Sequence, residues 1–155
     1  MRFARSVTAL FLSSALSTGI ACAADLRSDQ PRTVDGIETV CTGTTIDTRQ
    51  NPLWQDYSLR LEFVGADGQY LGNETVTVNG NGQSVEVHCS DPWVLMKLPQ
   101  GTYRIATDVA EAGHRDVTAR IPESGQAHII VRFPDAGGEV ASPVRPVAPG
   151  EAETR

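Results

Sequence analysis

Through the middle of this chain, apolar and polar residues alternate with period two. The run YSLRLEFV puts Tyr57, Leu59, Leu61 and Phe63 on one face and Ser58, Arg60 and Glu62 on the other, the pattern of a half-buried strand. After a GADGQ turn, ETVTV, NGNG and QSVEVHC form the clearest hairpin signal in the chain. Val76 and Val78 point inward, the Asn-Gly pairs supply left-handed turn conformations, and Val85, Val87 and Cys89 return on the buried face. TYRIATDV, RDVTARI and AHIIVRF repeat the alternation, separated by EAGH and PESG. Short strands broken by turns at fairly regular intervals predict an all-β Greek-key sandwich of about seven strands.

Two stretches depart from this rhythm. WVLMKL is continuously apolar apart from Lys97, stops at Pro99-Gln100-Gly101 and restarts at once as TYRI. Pro fixes φ and Gly accepts conformations other residues resist, so PQG is expected to be a tight turn joining two paired antiparallel strands. TTIDTRQNPLWQDY lacks alternation and predicts a short helix before the second strand, capped by Thr45 or Asp47 and limited by Pro52. Trp54 is expected to fold back from it onto the core.

The ends read differently from the middle. Residues 1–23 have the parts of a secretory signal: Arg2 and Arg5, an apolar stretch from Val7 to Leu16, and Ala21-Cys22-Ala23 as a small-residue cleavage site. The apolar stretch is shorter than the ~20 residues of a membrane span. Cys22 would be acylated in a lipoprotein, but Gly19-Ile20-Ala21 lacks the Leu such a signal uses. Residues 24–35 are polar with Pro31 and read as a flexible lead-in, and 134–155 form a Pro/Gly/Ala-rich tail too poor in large apolar residues to order itself. One domain, residues 36–133, remains. The expected location is the periplasm or the exterior.

Cleavage would take the formal charge from −6 to −8, because Arg2 and Arg5 leave with no acid. Such a balance argues against nucleic acid and anionic membrane surfaces as partners. Cys41 and Cys89 would then be the remaining cysteines. In an oxidising compartment they most simply pair, closing a loop of about 48 residues worth about 4 kcal/mol on the chain-entropy model. Free thiols and a metal site are the alternatives, the latter without a CxxC or HxxxH neighbour.

The segment SDPWVLMKLPQGTYRIATDV, with RDVTARIPESGQAHIIVRF after it, resembles the carboxypeptidase regulatory-like domain, also called transthyretin-like or prealbumin-like. The resemblance rests on Asp91, Pro92 and Trp93, on Lys97, Leu98 and Pro99, on Gly101, Tyr103 and Ile105, and on Gln126 to Phe133. Upstream, YSLRLEFVGADGQYLGNETVTV is similar to a run in small exported bacterial relatives, so the likeness covers Tyr57 to Phe133. It implies a β-sandwich without catalytic zinc and without peptidase activity. The cysteine pair and the segment before Tyr57 depart from the family pattern.

Motifs for chemistry are sparse. The sequence has no HxxE or HExxH, no GxSxG around its serines, and no calcium-loop spacing at Asp67-Gly68. His88 and His128 fall on outward strand positions and His114 in a turn, all expected to be exposed. No catalytic, cofactor or metal residue is assigned. The expected function is a non-catalytic exported module binding an unknown protein or envelope component. Alternatives are a small-molecule hydrolase on a transthyretin-like scaffold, whose relatives end in Tyr-Arg-Gly-Ser where this chain ends in Glu-Thr-Arg, and a secreted protease inhibitor. The candidate binding surface is Trp54, Asp91, Trp93, Lys97 and Tyr103, aromatic and charged residues near loops. The competing reading makes both tryptophans core.

Overall fold

The computed structural model describes residues 22–134. The predicted leader up to residue 21 and the predicted disordered tail after Pro134 lie outside the described residues. Two five-stranded sheets pack face to face. Sheet I runs in the order β1 (Ala24–Asp25), β6 (Gln83–Cys89), β5 (Glu74–Gly80), β8 (Gly101–Val109) and β9 (Gly113–Ile121). Sheet II runs β10 (Ala127–Phe133), β4 (Leu59–Gly65), β7 (Trp93–Met96), β3 (Ile37–Thr42) and β2 (Arg32–Val34). β5 lies beside β8, and β4 beside β7, the non-consecutive neighbours of a Greek-key path.

The alternation seen in the sequence becomes the inter-sheet core. Leu59, Leu61 and Phe63 from β4 face Val76, Val78, Val85 and Val87 from sheet I, with Tyr103, Ile105, Ile121 and Phe133 filling the rest. Asn81 and Gly82, at φ +51° and +71°, close the β5–β6 hairpin with the two positive φ angles its sequence called for. Cys41 on sheet II and Cys89 on sheet I form the expected disulfide, Cα–Cα 5.6 Å, which ties the two layers together.

The Pro99-Gln100-Gly101 corner is not the hairpin turn expected. β7 pairs with β3 and β4, and β8 pairs with β5 and β9, so the corner carries the chain from one sheet to the other. β7 has both edges occupied by strands of its own sheet, and all four of its residues are buried. A strand covered on both faces reads as an unbroken apolar run, which is why WVLM lost its alternation.

Three further differences have simple causes. Residues 24–35 contribute β1, parallel to β6, and β2, antiparallel to β3, with Leu26 buried between them. Strands of two and three residues are too short to show a period. Tyr57 does not face the inter-sheet core, because it terminates a helical turn before β4 begins and packs on the outer side of sheet II. Glu62, expected in solvent, is buried on that same side.

Candidate functional site

The outer side of sheet II is built by the segment between β3 and β4. Thr45 caps helix α1 (Ile46–Arg49), its hydroxyl accepting from the Thr48 amide at 3.2 Å in a reciprocal capping box. The Asn51 side chain accepts from the Leu53 amide at 3.0 Å, and Pro52 presets the first turn of a 3₁₀ helix (Pro52–Asp56). Trp54 Nε1 donates to the Thr48 carbonyl at 2.6 Å and locks the two turns together. Gln126, just before β10, donates to the carbonyls of Trp54 and Tyr57 at 2.7 and 2.9 Å, fastening the segment to the sheet.

Beneath this cover lies a second buried cluster of Val40, Trp54, Tyr57, Trp93 and Leu95, separate from the inter-sheet core. The Tyr57 hydroxyl donates to Glu38 Oε1 at 2.9 Å, Lys97 Nζ binds the same oxygen at 2.8 Å, and Lys97 sits 5.0 Å above the Tyr57 ring. The hydrogen bonds from Lys97 and Tyr57 hold the Glu38 carboxyl below its usual range. Burial, and then the Glu38 acceptor, push the Tyr57 hydroxyl well above its ordinary value. A cleft of about 160 Å³ opens beside this triad between Pro31, Leu53, Trp54 and Lys97, and one of about 410 Å³ lies across Trp54 toward Asp29 and Asp47.

Trp93 lies flat against the backbone of Gly43, where φ is +95° and a Cβ would stand 2.6 Å from the indole. From Trp93 a chain of stacked groups runs across the surface. Arg60 caps the indole at 4.5 Å, Tyr70 meets its edge at 6.3 Å, and Arg49 covers Tyr70 at 4.3 Å. Arg60 and His128 each reach Glu62 Oε1 at 2.8 Å, so the buried carboxylate is held by two side chains from neighbouring strands.

Of the residues singled out in the sequence, Trp54, Trp93 and Lys97 come together here, and both tryptophans are buried within the second cluster. Tyr103 does not join them: it lies in the inter-sheet core, fully buried, its hydroxyl donating to the Pro99 carbonyl at 2.9 Å. Asp91 is buried at the crossing from β6 to β7 and accepts from the Thr44 hydroxyl. His114 is the second residue of β9 rather than part of a turn, and it stands between Asp108 and Asp116 at 3.1 Å each.

Sequence reasoning missed Glu74. It is fully buried, neither carboxylate oxygen has a partner, and burial, with the Asp91 charge adding to it, pushes its pKa to about 9. The signal was present, because Glu74 shares inward parity with Val76 and Val78. Among the described residues no group of three His, Cys, Asp or Glu side chains is arranged to hold a metal ion, and no helix is long and apolar enough to cross a membrane. The chain matches no protein-family model and no curated protein sequence.

Proposed function

We propose that this chain is an exported, non-catalytic β-sandwich module that binds a protein or envelope component through the outer side of sheet II. One observation carries the proposal. The large apolar side chains exposed on the described residues are Ile46, Leu53, Tyr70 and Ile130, between 40% and 67% accessible, and all four belong to this side. Ile46 and Leu53 project from the helical cover, Tyr70 from the stacked chain, and Ile130 from the outward face of β10 beside Glu62. Apolar groups gathered on one side and rimmed by charge are the usual surface of a protein-binding module.

The titratable groups of this side are engaged with one another, Lys97 and Tyr57 with Glu38, and Arg60 and His128 with Glu62. That arrangement favours a rigid docking surface over acid–base chemistry. Export is part of the proposal, supported by the leader pattern and by strand β1 starting at Ala24, the first residue after the predicted cleavage. The likeness to carboxypeptidase regulatory-like domains also belongs to it. Two of its motif segments stand where the chain changes sheet, Asp91–Trp93 entering β7 and Lys97–Gly101 leaving it, while Tyr103 and Ile105 lie within β8 and Gln126 to Phe133 at β10.

Quantitative retention of envelope components on immobilised protein tests this. Leu53→Asp with Ile130→Asp should abolish retention, while Thr118→Asp on the outward face of β9 should leave it intact. Loss with Thr118→Asp, or retention with the double variant, would overturn the assignment of the face.

A further inference from the structure

The two long edge strands of the sandwich are β9, which closes sheet I, and β10, which closes sheet II. The register of sheet I fixes where the backbone groups of β9 point. Ala110, just past β8, donates its amide to the Asn73 carbonyl beside β5 at 3.1 Å, so even-numbered residues of β8 face β5 and odd-numbered ones face β9. Odd residues of β8 pair with odd residues of β9, from Gly101 with Ile121 to Val109 with Gly113. The amides and carbonyls of Asp116, Thr118 and Arg120 therefore point to the free edge. Among the described residues no backbone hydrogen bond reaches them there.

The other edges offer less to a pairing strand. β2 has three residues, β1 lines Val87 and His88 of β6, and on β10 the Arg132 carbonyl accepts from the Arg115 side chain at 3.4 Å. On β9 the Arg115 side chain caps the His114 carbonyl at 2.8 Å, which lies before the stretch 116–120.

The side chains of that stretch select its partner. Asp116, Thr118 and Arg120 are exposed on the outward face. Asp116 engages His114 through one carboxylate oxygen, and Arg120 has no ion pair among the described residues. Antiparallel pairing with an identical strand, centred on Thr118, sets Asp116 opposite the partner's Arg120 and Arg120 opposite the partner's Asp116. Thr118 then meets Thr118, and in all three pairs the unbonded backbone groups face one another. Centring on Asp116 opposes two like charges, and centring on Val117 or Ala119 leaves Asp116 facing Thr118 or Pro122. The charge pattern is thus self-complementary in one register. In that register the half-buried Val117 comes to lie beside the partner's Ala119.

We propose that β9 pairs with β9 of a second copy about a two-fold axis at Thr118, joining the two copies of sheet I into one continuous sheet. The outer side of sheet II takes no part in this pairing, which does not depend on the function proposed for that side.

Sedimentation equilibrium of the purified protein over a concentration series is the test, with amide hydrogen exchange locating the contact. The parent should dimerise reversibly, and exchange at Asp116, Thr118 and Arg120 should slow as the dimer forms. Asp116→Arg and Arg120→Asp should each weaken the dimer by at least about tenfold, since each sets like charges opposite one another. An equimolar mixture of these two variants should dimerise again, because one strand is then positive at both positions and the other negative. Thr118→Pro removes an amide that the monomer leaves unbonded on an edge strand, so it should keep the fold and lose the dimer. A monomer at every concentration up to about 1 mM would overturn the proposal. So would a dimer unaffected by these substitutions, a mixture no tighter than its components, or slowed exchange confined to residues 45–57 and β10, which would report the other side instead.

Discussion

The two sheets treat their outer faces in opposite ways. Sheet I leaves its face uncovered, a polar field of half-buried Thr75, Thr77, Glu86 and His88 (the last expected to be exposed) and exposed Asp108, His114 and Asp116, with its polar contacts running sideways between neighbouring strands. Sheet II is roofed by α1 and the 3₁₀ helix and gains a second buried cluster, in which Trp54 Nε1 is tied to the Thr48 carbonyl and the Tyr57 hydroxyl to Glu38, while the buried Trp93 Nε1 has no hydrogen-bond partner. The difference shows why one sandwich can be polar on one side and carry its exposed apolar residues on the other. A sheet face that is covered needs an aromatic layer to fill the space, and the cover itself then presents new apolar surface in Ile46 and Leu53.

The comparison is broken most directly by removing the filler. Trp54→Ala takes away the buried indole and its bond to α1, so unfolding free energy should fall by about 3–5 kcal/mol, the range for large aromatic truncations. The released cover should show as faster hydrogen exchange across residues 45–57, with the β5–β6 hairpin of sheet I protected as before. Uniform loss of protection over both sheets would mean that the second cluster is not a separate layer.

Next in size is Gly43→Ala. The added methyl would stand 2.6 Å from Trp93 in a backbone at φ +95°, so strain and displacement together should cost about 2–4 kcal/mol. Gly82→Ala, at φ +71° but with open space around its Cβ, isolates the backbone part and should cost about 1 kcal/mol. Denaturant melts of the two variants separate the terms, and equal losses would show that the Trp93 contact contributes nothing.

How far the sequence revealed this arrangement depends on whether one face or two were covered. The strands of sheet I, wet on one side, show period two, so their inward sets, Val76 with Val78 and Tyr103 with Ile105, were readable residue by residue. β7 is covered on both sides, which erased its period and made PQG look like a hairpin when it is a passage between layers. The pairing of Cys41 with Cys89 was expected from compartment and parity; that it joins the two sheets required the topology. The helical cover was legible as a break in rhythm with caps at Thr45 and Pro52, yet its packing on sheet II and the joining of Trp54 with Trp93 come from tertiary geometry. Tyr103, grouped with the tryptophans by nearness in sequence, separates from them because the chain changes sheets between β7 and β8.

Glu74 sharpens the contrast, since it is an ionisable group of sheet I that faces inward without the ion pairs that hold the buried Glu62 of sheet II. Its folded pKa of about 9 lies above the unfolded value of 4.5, so the folded state retains the proton. The associated stability is fully present below the unfolded value and is lost as pH rises toward 9. Over that window the slope approaches 1.4 kcal/mol per pH unit, so about 2–3 kcal/mol should disappear between pH 5 and pH 7. Glu74→Gln keeps the shape and cannot ionise. Its melts should match or fall slightly below the parent at pH 5, exceed it at pH 8, and show a flatter pH profile. Parallel profiles for the two proteins would assign the titration to another group.

The smallest effect is expected at His114, on the open face of sheet I. Both imidazole nitrogens stand 3.1 Å from a carboxylate, Nε2 from Asp116 and Nδ1 from Asp108. The charged ring is the form that donates from both nitrogens, so these two hydrogen bonds raise its pKa above 6.5, Asp116 contributing most. A raised histidine pKa stabilises the fold below the unfolded value and ceases to do so as pH climbs through the folded one. Because the ring is open to water, the change in stability should be slight, and the titration itself is the better measurement. The His114 Cε1 proton should show a midpoint above 6.5 in the parent. Asp116→Asn should lower that midpoint more than Asp108→Asn, and both together should bring it back toward the ordinary value. Added salt should lower it also, since an exposed cluster is screened. A midpoint that ignored both substitutions would mean the ring rotates free of its two acids, and the open face would then lack the sideways contacts that distinguish it from the roofed one.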